Sequence, residues 1–260
     1  MDRLAINLAK QVKKNKFANE DQKLDQICKK LSMKDNVYRL GNVKLYVPNY
    51  PCDLIQRHIV DKNTFYSQGS LLGNCDKYIK PGAVIIDAGA NIGNHSVYWA
   101  TQCNVSKIIS FEPVKETFDI LIKNVQLNNL QDKIQASNIG LSDKTTNAKI
   151  GFLKNENIGM ARVQPDQNGE LKLDTLDNLV TEHVDFIKID VERHEVELLK
   201  GAERILTESK PIILVESYPN EYPELHNLLT SKGYVLEEQP SKHDYLYIHK
   251  DQERFWGNAK

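Results

Sequence analysis

From residue 84 to residue 249, short apolar runs alternate with helical stripes, and this alternation limits the fold more than any other feature of the chain. "AVIID", "SKIISFEP", "KIQASNIGL", "VDFIKIDV" and "KPIILVES" read as strands. Between them lie helical patterns: "GNHSVYWAT"; "KETFDILIKNVQLNN", with Phe118, Leu121, Ile122 and Val125 on one stripe; "TLDNLVTEH", opened by a Thr or Asp cap; "EVELLKGAERILTE", broken at Gly201; and "YPELHNLLTSKG". "YVLEEQ" and "DYLYIHK" close the series as two strands. Such a series predicts an α/β fold with a doubly wound, mainly parallel sheet, helices on both faces and an antiparallel C-terminal edge. "NAKIGFL" and "GELKLD" predict an inserted hairpin around residues 150–172.

Upstream, residues 1 to about 35 read as a charged helix, "NVKLYVPN" as a strand and "SQGSLLGNCDKYI" as a helix leading to Pro81-Gly82. The expected division is an N-terminal helical extension over 1–78, serving as a substrate cap, a main domain over 79–250 and a tail over 251–260. A chain of 260 residues can bury roughly 70–75% of its unfolded surface without staples. The 34 Lys plus Arg nearly balance the 35 Asp plus Glu, which argues against a nucleic-acid partner. Cys28, Cys52, Cys75 and Cys103 form no CxxC pair, so a cytoplasmic setting is expected. No apolar run reaches the ~20 residues of a membrane span, so no membrane insertion is expected.

In a doubly wound sheet the ligand lies at the carboxyl ends of the strands. Asp87, Glu112, Asp190 and Glu216 all fall at predicted strand ends, which gathers four carboxylates on one rim. The first of these strands runs into "DAGANIGN", where Gly89 and Gly93 are spaced G-x-x-x-G. A dinucleotide turn would be G-x-G-x-x-G; here Asn91 replaces the middle glycine and would crowd a pyrophosphate. Glu112 follows Gly93 by 19 residues, where a carboxylate can accept both hydroxyls of a ribose. This combination suits a nucleoside without phosphates, of which S-adenosylmethionine is the obvious case. Asp87 would orient the turn or meet the ligand's amino group through water.

The segments "IIDAGANIGNHSVYWA", "ISFEPVKETFDILIKNVQLNN", "NIGLSD", "TLDNL", "DFIKIDVERHEVELLKGAERIL" and "PIILVES" together resemble, in order, the FkbM-type methyltransferases over roughly residues 80 to 218. The resemblance implies a class I, Rossmann-like methyltransferase fold, S-adenosylmethionine as cofactor and O-methylation, often of sugar or polyketide hydroxyls. By position it implies that Gly89, Asn91, Gly93 and Glu112 line the cofactor site and that Ser142 and Asp143 lie near the adenine. The family usually has glycine where this chain has Arg193, which puts the loop geometry there in question, since positive φ costs a non-glycine residue roughly 1–2 kcal/mol.

"KIDVERHE" supplies the second group of candidates. A hydroxyl becomes a good nucleophile only as its proton leaves, so a placed base contributes about 10²–10⁴-fold. Asp190, Glu192 and His194 share a face if the chain stays extended, and they are the expected catalytic residues. Arg193, Glu216 and Tyr218 are expected to bind the acceptor, a small-molecule or carbohydrate hydroxyl. Asp, Glu and His donors would suit magnesium or manganese, but the sequence shows no second acidic pair nearby and no metal is expected. His95 reads as a packing residue. Competing readings are an NAD-dependent oxidoreductase, disfavoured by the glycine spacing and the lack of a Tyr-x-x-x-Lys pair; a nucleic-acid methyltransferase, which would want a different loop from "DVERH"; and a non-catalytic binding module.

Overall fold

A computed structural model describes residues 18–67, 73–154 and 157–252. Residues 1–17 of the helix predicted over 1 to about 35, part of the segment leading to Pro81 and most of the tail lie outside the described residues. The chain forms two compact units, one through Tyr66 and one from Ser67 onward.

In the first unit, helix α1 (Ala18–Ser32) precedes a two-stranded antiparallel hairpin, β1 (Val37–Leu40) and β2 (Val43–Tyr46), and helix α2 (Leu54–Lys62). The alternation read in "NVKLYVPN" is real: Val43, Leu45 and Val47 are buried. Helix α2 lay in a stretch without a clear period. Its start is set by Asp53, whose carboxylate accepts the Gln56 N–H at 2.8 Å. Asp61 on the same helix ties the unit together, accepting from the Gln26 amide (3.0 Å) and the Tyr50 hydroxyl (2.9 Å).

The second unit contains the predicted sheet. Strand β3 (Val84–Ala88) is followed by helix α3 (Asn94–Gln102), β4 (Lys107–Phe111), helix α4 (Lys115–Leu127) and β5 (Ile134–Ser137). Helix α4 turns its stripe slightly from the predicted one, burying Thr117, Ile120, Leu121, Asn124 and Val125 and leaving Phe118 and Ile122 half-buried. "KIQASNIGL" does not run as one strand. Asn138 breaks it by donating its amide to the Glu112 and Pro113 carbonyls, at 2.8 and 2.9 Å. The chain leaves the sheet there as β6 (Gly140–Leu141), which joins β7 (Thr146–Lys154), β8 (Asn157–Pro165) and β9 (Leu171–Asp174) in a separate four-stranded sheet in the order β6-β9-β7-β8. The inserted hairpin is therefore two strands of a small sheet.

Helix α5 (Leu176–Leu179), capped by Thr175, leads to β10 (Phe186–Ile189) and helix α6 (Glu195–Lys200). Helix α6 stops at Gly201, where an added Cβ would overlap the Ser142 carbonyl oxygen. Strand β11 (Ile212–Glu216), helix α7 (Tyr222–Ser231), β12 (Tyr234–Glu238) and β13 (Asp244–His249) complete the unit. The large sheet has the order β12-β13-β11-β10-β3-β4-β5. Strands β11, β10, β3, β4 and β5 are parallel, and β12 and β13 form the antiparallel edge. From β3 the chain winds outward to β5, then returns to β10 on the other side. The switch point is the β3–β10 boundary, where ligands of such sheets bind.

The central strands are nearly continuous apolar runs, as strands covered on both faces must be. Phe186, Ile187 and Ile189 on β10 and Ile85 and Ile86 on β3 are wholly buried. Phe186 also meets Trp99 of α3 edge-on, with ring centroids 6.0 Å apart. Truncation of Phe186 to alanine is expected to cost about 3–5 kcal/mol of unfolding free energy, read by urea denaturation followed by circular dichroism. A cost under about 1 kcal/mol would mean that this strand is not central.

Candidate active site

The glycine turn takes its shape from three left-handed residues, Gly89 (φ 74°), Asn91 (φ 51°) and Gly93 (φ 80°). Asparagine is among the few side chains that visit this region readily, and Asn91 adds its own brace by accepting the Ile92 N–H on Oδ1 at 2.7 Å. The turn is anchored to β4, because the N–H groups of Gly89 and Ala90 both donate to the Phe111 carbonyl at 3.0 Å. Glycine is required at 89 for a second reason: an added Cβ would overlap the carbonyl oxygen of Asp190. The turn after β3 and the segment after β10 are thus in direct contact across the switch point.

Glu112, just past β4, is buried beside this turn. Its Oε2 accepts the Asn91 N–H (2.8 Å), and its Oε1 accepts the Val114 N–H (2.9 Å) and the Thr117 hydroxyl (3.0 Å). Burial raises its pKa, against the pull of those donors. A carboxylate has roughly four acceptor positions, so one remains on Oε2, room for one ligand hydroxyl rather than the two expected. Asp87 faces inward. It is wholly buried, and its Oδ2 accepts from the Ser96 hydroxyl at 2.5 Å. It braces the base of α3 and is shut off from any ligand amino group.

The second group of candidates is rearranged. The chain does not stay extended after Asp190, because Glu192 (φ 54°) and Arg193 (φ 76°) are both left-handed. Arg193 therefore adopts the backbone region that glycine favours, which answers the question its presence raised. Its N–H donates to Glu195 Oε1 at 2.9 Å, and its guanidinium meets Glu221 at 3.3 Å and lies over the Tyr218 ring, 5.0 Å from the centroid. Tyr218 in turn packs on His243, with centroids 4.9 Å apart.

This double turn sends His194 away from the acids. Its Nε2 is 2.9 Å from the Ser142 hydroxyl, and its Nδ1 lies 3.8 Å from Glu197. The expected trio on one face does not form. Ser142 is buried beneath His194, and its hydroxyl also donates to Asp143 at 3.2 Å. Burial lowers the His194 pKa.

Glu216 takes the place left by His194. Asp190, Glu192 and Glu216 each offer a carboxylate oxygen within 4.8 Å of the others. Glu216 is one of the four strand-end carboxylates expected on this rim, and the pairing of β11 with β10 sets it directly beside Asp190. Such an oxygen set could hold a hard divalent cation, but a cation is already built in. Lys188 is buried in the middle of β10, with Nζ 3.4 Å from Asp190 Oδ2 and 3.5 Å from Asp87 Oδ1. Burial alone would lower this ammonium's pKa, but Asp190 and Asp87 raise it above the usual lysine value. Burial would likewise raise Asp190, but Lys188, then His95, hold it below the usual carboxylate range. Glu216 is pushed up to about 9 by burial and by the Asp190 charge, so it carries the proton of the hydrogen bond they share. Glu192 rises to about 7, through burial and then the same neighbour. His95, expected only to pack, lies 5.8 Å from the Trp99 ring. Its Nε2 is buried without a hydrogen-bond partner, and burial and then Lys188 lower its pKa to about 4, which keeps it neutral.

A profile of the methyltransferase FkbM domain matches residues 87–236, more than half of the chain. The chain belongs to the FkbM methyltransferase family. The match begins at Asp87 and takes in the glycine turn, Glu112 and the acid cluster of this FkbM protein. Among curated relatives, Methyltransferase sdnD of Sordaria araneosa is 27% identical over 190 residues, 58% of this chain and 73% of its own length. Hexuronic acid methyltransferase AglP of Haloferax volcanii is 29% identical over 144 residues, 54% of this chain and 58% of its own length. Among solved structures, a methyltransferase FkbM from Methylobacillus flagellatus KT is similar, with a TM-score of 0.49 and 16% identity, covering 88% of this chain and 60% of that one. By the family match the protein is a methyltransferase, which sets aside the oxidoreductase reading. No described helix is long and apolar enough to cross a membrane.

The shared proton of Asp190 and Glu216 has a consequence for stability. An unfolded glutamate titrates near 4.3, whereas folded Glu216 keeps its proton to about pH 9. Between these values the folded state holds the extra proton, so stability is full at acid pH and is lost as pH rises toward 9. Wild-type melting temperature is expected to fall from pH 5 to pH 9 more steeply than that of Glu216→Gln, whose amide still donates to Asp190. Parallel curves would show that Glu216 is ionised at neutral pH.

Proposed function

We propose that this protein transfers the methyl group of S-adenosylmethionine to a hydroxyl of a small molecule, most naturally a sugar, sugar nucleotide or glycan. The observation that carries this reading is the packing of Gly89 on Asp190, which sets a turn suited to a nucleoside against a cluster of carboxylates suited to removing a proton. In this reading Glu112 accepts one ribose hydroxyl at its remaining acceptor position, and Gly89, Asn91 and Gly93 let the nucleoside lie across the turn. When bound, the sulfonium supplies an electrophilic methyl group.

The chain's own work is to hold the acceptor oxygen in line and take its proton. Asp190 stays ionised beside Lys188, and its side chain is 37% exposed, open enough to orient a hydroxyl. Glu192, with a pKa of about 7, is matched to the removal of a proton at neutral pH and is assigned as the base. His194, turned away from the acids, braces the loop through its contact with Ser142. Arg193 and Tyr218, held by Glu221 and His243, are proposed to form the acceptor's outer wall. A carbohydrate acceptor is supported by the sugar-acid activity in the name of the Haloferax volcanii relative.

A mass-read screen of sugars, nucleotide sugars and glycans for methyl incorporation tests the acceptor class. With an acceptor in hand, turnover is expected to rise with pH through about 7, because protonated Glu192 cannot take the hydroxyl's proton. Glu192→Gln should lose that limb and about 10²–10⁴-fold of kcat. Glu112→Gln should weaken binding of S-adenosylhomocysteine in calorimetry while leaving the fold intact. Equal binding by wild type and Glu112→Gln would remove the ribose assignment.

A further inference from the structure

Lysine is an unusual choice at the centre of a parallel sheet. Lys188 is only 3% exposed, and its strand neighbours Ile187 and Ile189 are wholly buried. An ammonium here is tolerable only if its three donors find partners. Nζ donates to the Gly89 carbonyl at 3.0 Å and is ion-paired with Asp190 Oδ2 at 3.4 Å and Asp87 Oδ1 at 3.5 Å. Two of these partners come from β3 and the turn after it, and the third from the end of β10. In-register pairing of Lys188 with Asp87 on β3 fixes where the ammonium emerges. Asp87 Oδ1 has no hydrogen-bond partner, so the Lys188 charge is its compensation.

We propose that Lys188 is a positioning residue that locks the glycine turn to the carboxylate cluster, one ammonium fixing both the Gly89 carbonyl and the Asp190 carboxylate. This rests on the methyl-transfer reading of the same site and adds the reason why its donor and acceptor halves keep a fixed relation. Asp190 is held as an anion by this contact, and the anion in turn keeps the proton on Glu216. Glu192 also feels the Lys188 charge. Asp244, on the far side of the cluster, and His95, on the helix after the turn, feel it as well. A neutral side chain of similar length would fill the space and leave these groups without their common cation.

The test needs no acceptor. Carbon-13 labelled Asp and Glu report carboxylate titrations by NMR, and calorimetry reports binding of S-adenosylhomocysteine. In Lys188→Met the Asp190 titration is expected to move upward by about 1 pH unit or more, and the dissociation constant is expected to rise about tenfold. Lys188→Arg keeps the charge and is expected to keep Asp190 low. An Asp190 titration unmoved in Lys188→Met, unchanged binding in that variant, or an arginine variant that titrates like the methionine one would overturn the proposal. If Lys188→Met does not fold, the wild-type titrations decide: Asp190 below and Glu216 above the ordinary carboxylate range support it, and both near 4 overturn it. If wild type binds no S-adenosylhomocysteine, the methyl-transfer reading fails on its own, and the Asp190 titration still decides what Lys188 does.

Discussion

The close approach of two backbones at the switch point of the sheet governs the rest of this structure. Parallel strands β3 and β10 pair in register, and the chain bends after each of them. The Asp190 N–H donates to the Ala88 carbonyl at 3.1 Å, and Gly89 lies so close to the Asp190 carbonyl that no side chain fits between. A left-handed turn at 89–93 and a left-handed pair at 192–193 flank this contact. Buried charge then fills what the backbones leave: Lys188 beneath the contact, Asp87 on one side and Asp190 on the other.

Charge distribution explains why so many acids can share so small a rim. Three carboxylates in mutual reach would repel strongly if all were ionised. One is neutralised by Lys188, one holds its proton at neutral pH, and the third is poised near 7. Each state follows from burial and from the group beside it. The same arrangement yields a carboxylate, Glu192, able to change protonation state under mild conditions, as its proposed role as general base requires. Glu112 stands apart from this group, its acceptor positions largely taken by the turn it stabilises.

Much of this was legible in the sequence, for definite reasons. Apolar runs ending in Asp or Glu marked the parallel strands and their carboxyl ends together, so the sheet, the glycine turn, Glu112 and Asp190 could be placed before any coordinates. What escaped depended on neighbours distant in the chain. Glu216 was expected on the same rim as Asp190, but which of the rim carboxylates would touch depended on β11 lying beside β10. Lys188 belongs to no motif in the sequence, and its importance comes from what β3 places opposite it. His194 was misplaced because the alternation of Asp190, Glu192 and His194 presumed an extended chain, whereas two consecutive residues take positive φ. The break at Asn138 was hidden because its cause, side-chain bonds to the Glu112 and Pro113 carbonyls, is 25 and 26 residues away.

The central claim is that the turn at 89–93 holds the adenosine of a methyl donor beside Glu112, with its sulfur directed toward the acid cluster. A crystal structure of the protein with S-adenosylhomocysteine tests it most directly. The expected result is a ribose hydroxyl hydrogen-bonded to Glu112 Oε2 and the sulfur facing Asp190 and Glu192. Density for the nucleoside elsewhere, with the turn and Glu112 unchanged and unvisited, would contradict it.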